Sequence, residues 1–128
     1  MKATKKPIFV VQEHHARKLH YDFRIEMGGV LKSWAVPKIL PTNEKSKSLA
    51  VEVEDHPLSF ADFEGIIPKG SYGAGTIKIW DKGEYELVNK TDDKINFILH
   101  GKKMRGSYCL LRFKRENKKD LWLIFKTK

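Results

Sequence analysis

One cysteine in 128 residues, Cys109, has nothing to pair with inside the chain, so a disulfide framework is excluded. Its neighbours Tyr108, Leu110 and Leu111 are apolar, the setting of a small core thiol. Long hydrophobic runs are absent too: the longest, Leu121 to Phe125, falls far short of the roughly 18 residues a helical membrane span requires. The basic opening, Met1 to Lys6, is followed by Pro7 and only four apolar residues, too few for the core of a secretory leader. A soluble, cytoplasmic protein is expected. Nine glycines and five prolines are ordinary numbers and exclude a collagen-like chain. Acid is the scarcer charge: 16 Asp and Glu against 25 Lys and Arg leave a formal charge of +9.

That excess, with a pI near 9.6, favours a polyanionic partner, because a basic face gains free energy by displacing counterions from phosphates. The basic residues gather at Lys2, Lys5 and Lys6, at Lys102, Lys103 and Arg105, and at Lys114, Arg115, Lys118 and Lys119. Solvated loop charge would look the same. A chain of this length can bury about two thirds of its unfolded surface around one core. The expectation is a basic tail over residues 1–6 and a single domain over residues 7–128.

The apolar pattern is mainly β. Phe9 to Val11, Leu49 to Val53, Thr76 to Trp80, Tyr85 to Val88, Ile95 to Leu99, Ser107 to Phe113 and Leu121 to Phe125 are rich in β-branched and aromatic residues. Turn signals separate them at Gly28 with Gly29, Pro41 to Asn43, Pro68 to Gly75, Asp81 to Gly83, Thr91 to Asp93 and Glu116 to Lys119. Strands so spaced predict a barrel or sandwich. Helix is confined to one turn, with Ser59 as the cap, Asp62 three residues on, and Gly65 as the stop. Trp34, Trp80 and Trp122 lie in apolar segments and read as core.

The most informative stretch is Leu19-His20-Tyr21-Asp22-Phe23-Arg24-Ile25-Glu26, where apolar and polar residues alternate throughout. On a strand, Leu19, Tyr21, Phe23 and Ile25 enter the core while His20, Asp22, Arg24 and Glu26 line the other face. In a helix His20 and Asp22 would lie about 200° apart and could not serve one site. A solvated strand face would more often hold Lys, Thr and Glu than this set. Upstream lie Gln12, Glu13, His14 and His15, and a separate segment, Glu54-Asp55-His56-Pro57, adds an imidazole that Pro57 holds on extended backbone. Two histidines and an aspartate with open positions suit a divalent metal, although no compact ligand signature is present. Arg24 has two readings, a salt bridge with Asp22 or a fork for phosphate oxygens, and the excess of base favours phosphate. The Pro68 to Gly75 loop lacks the Walker pattern and reads as a glycine-rich connection. His100, beside Gly101, has no carboxylate in its own segment and reads as a turn residue.

Taken together, Phe9-Val10-Val11-Gln12 and His14-His15-Ala16-Arg17-Lys18-Leu19-His20-Tyr21-Asp22-Phe23-Arg24 resemble the 3'-phosphoesterase domain of bacterial and archaeal DNA ligase D. So do Gly29 to Pro37, Val53-Glu54-Asp55-His56-Pro57-Leu58, Phe63-Glu64-Gly65 with Ile67-Pro68, and Tyr72-Gly73-Ala74-Gly75 on to Trp80-Asp81. The resemblance covers about Pro7 to Phe125 and looks like that of a stand-alone member. It implies a small closed β-barrel of seven or eight strands with a surface groove that holds manganese. It also implies removal of a 3'-terminal ribonucleoside from a DNA primer strand, then of the remaining 3'-phosphate, leaving a hydroxyl for ligation in end joining. By position, the resemblance makes His14, Asp22 and His56 the metal ligands, sets His20 and Arg24 on the scissile phosphate, and has Gln12 support the site. The family often has a tyrosine four residues after the His56 counterpart, where this chain has Phe60 and so lacks a hydroxyl. The implied partners are DNA 3' ends and, in trans, an ATP-dependent ligase and other end-joining proteins, in a prokaryotic, nucleoid-associated setting.

Two other readings use the same residues. Two histidines and an aspartate on a barrel also describe a non-haem iron oxygenase, which gives Arg24, His20 and the charge less to do. A catalytically silent nucleic-acid adaptor for a ligase would use the basic clusters alone.

Overall fold

The computed structural model describes residues 6–128, and nine strands make up most of them. They are β1 (Ile8–His15), β2 (Leu19–Met27), β3 (Val30–Val36), β4 (Lys47–Pro57), β5 (Gly65–Ile67), β6 (Gly75–Lys90), β7 (Lys94–His100), β8 (Arg105–Glu116) and β9 (Lys119–Lys126). A 3-10 turn, Leu58–Asp62, follows β4, and there is no α-helix among the described residues. Every pairing is antiparallel. The order runs β1-β2-β3-β4-β9-β8-β7-β6, and β6 pairs back onto β1, so eight strands close a barrel while β5 adds a short ninth strand against β6. Closure leaves the barrel strands no open edge, and eight strands enclose a space that side chains just fill.

Aromatic rings fill it. Phe9, Phe23, Trp34, Phe97 and Tyr108 are essentially inaccessible. Phe97 lies between Phe23, at 5.9 Å between centroids, and Tyr108, at 6.4 Å. Each fully buried ring contributes about 1.5–3 kcal/mol relative to exposure, and together these rings make the interior a packed core.

Strand alternation sets the opposite face. On β1, Phe9 and Val11 belong to the interior cluster while Val10, Gln12 and His14 point outward. On β2, Tyr21, Phe23 and Ile25 face in and His20, Asp22 and Arg24 face out. The outer face is not open to water. The 3-10 turn closes over it, and Val10, Leu31 and Ala61, with Ile8, Phe60 and Ile79, form a second, smaller cluster. Gln12, Asp22, Arg24 and Ser33 are consequently buried outside the barrel wall.

The β-barrel expectation holds, and several local readings differ. Residues Val30–Val36 form a strand that the sequence pattern did not reveal, because Trp34 and Val36 fill the interior while Leu31 and Ser33 are equally buried on the other side, which blurs the alternation. Thr76 to Trp80 and Tyr85 to Val88 are one strand, β6. Asp81, read as part of a turn, is instead buried and accepts hydrogen bonds from the backbone N–H groups of Lys102, Lys103 and Met104 at 2.8–3.0 Å. Its register with β1 slips by one residue at Trp80, a bulge that bends the strand. Leu19 is 45% exposed, since it lies at the end of β2 beyond the filled interior. The predicted helical turn exists but begins at Leu58. Pro57 occupies its cap position with no side-chain cap bond, so Ser59 is not the cap. Trp34 and Trp122 are core, in edge contact at 5.8 Å, and Trp80 is partly buried at the margin. His100 ends β7 and pairs across the sheet with Glu86. The predicted tail, Met1 to Lys6, lies outside the described residues except for Lys6. No helix among the described residues is long and apolar enough to cross a membrane.

Candidate active site

Cross-strand register assembles the polar row. Gln12 lies opposite Asp22, and His14 opposite His20, across β1 and β2. Arg24 faces Ser33 across β2 and β3, and His56 faces Leu31 across β3 and β4. Every second residue of β1 to β4 therefore reaches one patch of the outer wall.

Asp22 is its centre. His14 Nδ1 lies 3.4 Å from Asp22 Oδ2, and His20 Nε2 lies 3.2 Å from Oδ1. The ligand atoms of His14, His20 and Asp22 all fall within 4.8 Å of one another. The other ring nitrogen of His14, Nε2, lies 3.0 Å from the Gly73 carbonyl and 3.3 Å from that of Ala74. Carbonyls only accept, so Nε2 carries the proton and donates, and in the neutral ring Nδ1 turns a lone pair towards a carboxylate oxygen. Two acceptors at that separation repel unless a proton or cation lies between them. The donor set thus fits a divalent cation, of the borderline kind that imidazole and carboxylate bind. The hydrogen bond to Asp22 pushes His20 above its ordinary pKa. Burial alone would raise Asp22, but the His20 hydrogen bond and the Arg24 and imidazole charges outweigh it and hold the carboxyl low.

Arg24 is 3% exposed and held on several sides. Its Nε donates to Gln12 Oε1 at 2.7 Å, Nη1 donates to Ser33 Oγ at 2.9 Å, and Nη2 lies 3.4 Å from Asp22 Oδ2. His56 Nδ1 sits 3.2 Å from Nη1 and 3.0 Å from the Glu54 carbonyl. Burial and the Arg24 charge both push His56 below its ordinary pKa. One Nη2 hydrogen of the guanidinium remains uncommitted among these contacts. The Phe60 ring covers Arg24 at 5.0 Å and stacks on Phe63. Gln12 donates from Nε2 to the carbonyls of Phe60 and Phe63 at 2.8 and 3.2 Å, tying the 3-10 turn to the arginine.

These groups open into a cleft of about 600 Å³, floored by His14, His20, Asp22, Arg24 and His56 and walled by Arg17, Phe60 and Tyr72. Of the residues expected at the site, His14, His20 and Asp22 converge. His56 lies on the far side of Arg24, beside it rather than in the ligand cluster, and Gln12 lies behind Arg24. Glu26 is elsewhere, accepting from the Ile8 N–H. Sequence reasoning overlooked Ser33 and the carbonyls of Gly73 and Ala74. Ser33 carried no signal, because its strand went unrecognised. The loop did carry one in Gly75, whose φ of +131° favours glycine and where a Cβ would overlap the His15 carbonyl.

The family model for the DNA ligase D 3'-phosphoesterase domain matches residues 12–112. The chain is 48% identical over 135 residues to the multifunctional non-homologous end joining DNA repair protein LigD of Mycobacterium tuberculosis, a match that covers 98% of this chain and 17% of that protein. Similar proteins of the same kind occur in Mycolicibacterium smegmatis, 47% identical over 131 residues, and Pseudomonas aeruginosa, 45% identical over 125 residues; each match covers 94% of this chain. These matches take in 17% and 15% of the respective proteins, so the chain spans less than a fifth of their length.

Proposed function

Because the chain belongs to the DNA ligase D 3'-phosphoesterase domain family, we propose that it is a metal-dependent phosphoesterase that heals DNA 3' ends for end joining. Its substrates are primer strands that end in a ribonucleotide or a 3'-phosphate. It removes the terminal ribonucleoside, then the phosphate, and leaves a hydroxyl for an ATP-dependent ligase. The observation that carries this reading is the convergence of His14, His20 and Asp22 immediately beside a buried arginine with a free N–H.

In this reading His14, His20 and Asp22 hold the ion, manganese by preference, with His14 locked in one tautomer by the Gly73 and Ala74 carbonyls. A divalent ion bound there supplies positive charge against the phosphate oxygens. Arg24 donates to a non-bridging oxygen and stabilises charge as it builds in the transition state. Gln12, Ser33 and Asp22 fix its fork, so no side-chain freedom is lost when the phosphate arrives. His56 stands on the phosphate side. The resemblance gave it to the metal, but its contact with Arg24 favours His20 as the third ligand. The Phe60 ring closes that side without offering a hydrogen bond, which makes removal of the 3'-phosphate the weaker step. Membership in a phosphoesterase family favours hydrolysis over oxygenase chemistry for the same residues.

The test is manganese-dependent trimming of a labelled primer-template with one terminal ribonucleotide, alongside calorimetric manganese binding. The wild type should give both the 3'-phosphate and 3'-hydroxyl products, and Asp22→Ala neither. Manganese binding should be lost in His20→Ala and kept in His56→Ala. The reverse pattern restores His56 as the ligand, and no product with any divalent metal leaves the adaptor reading in place of the enzyme.

A further inference from the structure

The catalytic cleft does not end at Tyr72. A second groove of about 470 Å³ begins there, sharing Tyr72 and Val53 with the first, and runs to Lys118 and Lys119 at the tip of the β8–β9 hairpin. Tyr72 is 84% exposed, an unusual position for an aromatic ring with no packing role. Glu116 pairs with Lys119, so the hairpin connection is the two residues Asn117 and Lys118, with φ of 52° and 64°. Such a turn favours glycine at its second position, because a Cβ is strained there. Lysine occupies that strained position. A costly residue at a loop tip points to a use for its side chain.

The surrounding charges agree. Lys114 pairs with Glu116, and Arg115 with Asp120, whereas Lys118 and Lys119 make no ion pair among the described residues. The acidic groups along the groove are mostly neutralised: Glu52 accepts from Trp122 Nε1 and faces Lys32, and Asp120 is shared by Arg112 and Arg115. Among the described residues that line the groove, Glu54 is the acidic group left to oppose these two ammonium groups. The groove thus presents an exposed ring next to the chemistry and two uncommitted cations beyond it.

We propose that this groove carries the DNA leading into the site, with Tyr72 stacking on a base next to the 3' end and Lys118 and Lys119 contacting backbone phosphates beyond it. The inference rests on the phosphoesterase reading for its substrate. A π face recognises any base and an ammonium any phosphate, so the tract orients the strand without reading its sequence.

Lys118→Gly separates use from architecture. It relieves the strained φ and should raise the melting temperature while weakening binding of a fluorescent primer-template, measured by anisotropy across a salt series. The slope of log affinity against log salt should become shallower by about one unit for Lys118→Gly and about two for Lys118→Gly with Lys119→Gln. Tyr72→Ala should weaken binding by roughly 5- to 100-fold and leave the slope unchanged. Unchanged affinity and slope in the lysine variants, with end trimming intact in the wild type, overturn the tract and spare the enzyme. Shallower slopes without any trimming by the wild type support the tract while removing the phosphoesterase reading.

Discussion

A buried guanidinium needs compensation for its charge, and Arg24 finds it in hydrogen bonds to Gln12 and Ser33 and in the Asp22 carboxylate, while one Nη2 hydrogen is left for the cleft. In the proposed reaction Gln12 acts through Arg24, to which its Oε1 is bonded. Gln12→Ala should cost about 1.5–3 kcal/mol in urea unfolding, the usual loss for a buried hydrogen bond to a charged group, and should also slow trimming. Stability unchanged to within experimental error would show that Arg24 does not depend on it. Phe60 offers the complementary test. Phe60→Tyr adds a hydroxyl beside Arg24 and His56. One hydrogen bond to a charged phosphate, worth about 1.5 kcal/mol or more, should raise 3'-phosphate removal by roughly tenfold relative to the first step. A quenched-flow ratio of the two products that does not move would clear Phe60 of limiting the second reaction.

The site is also a property of elements. The polar row of β2 was legible because His20, Asp22 and Arg24 interrupt an apolar series at every second position, and that period has one structural meaning. Strand β3 was not legible, because burial on both sides erases the period, and Ser33 was lost with it. The loop from Pro68 to Gly75 looked like mere connection, since backbone carbonyls leave no mark in a sequence. Its grip on His14 depends on the close pass of Gly75 against His15. Gly75→Ala should therefore cost about 1–3 kcal/mol through backbone strain and lower trimming by roughly 10- to 100-fold, as when a ligand loses its outer support. Thermal denaturation and rate measured on the same preparation check this prediction, and full activity would show that the loop carbonyls are dispensable.

Over the whole molecule, spacing left barrel and sandwich open and the resemblance pointed to the closed barrel, while the fusion of two predicted segments into β6 was not legible, because the tie from Asp81 to the Gly101–Met104 loop spans more than twenty residues. Two phenols show how tightly the interior is shut. Tyr85 donates to the Glu26 carbonyl and Tyr108 to that of Pro41. Burial, with Glu26 beside one and Asp81 beside the other, pushes each up to about 12. An acid whose folded pKa is raised contributes stability that is intact below the unfolded value, about 10, and lost as pH climbs towards the folded one. The protein should therefore lose stability between about pH 10 and 12, and ultraviolet titration should show these two phenols ionising only on unfolding. Tyr108→Phe should flatten that loss, and equal steepness in the variant would discount the phenol.

The strands that fill the barrel with one face build the cleft with the other. A single-residue deletion within β2 would exchange the two rows, setting Phe23 and its neighbours outside and Asp22 and Arg24 within. Such a chain could neither pack nor act. Folding and assembly of the polar row are thus one event, and a chain whose barrel has closed in register has Asp22 and Arg24 facing the cleft.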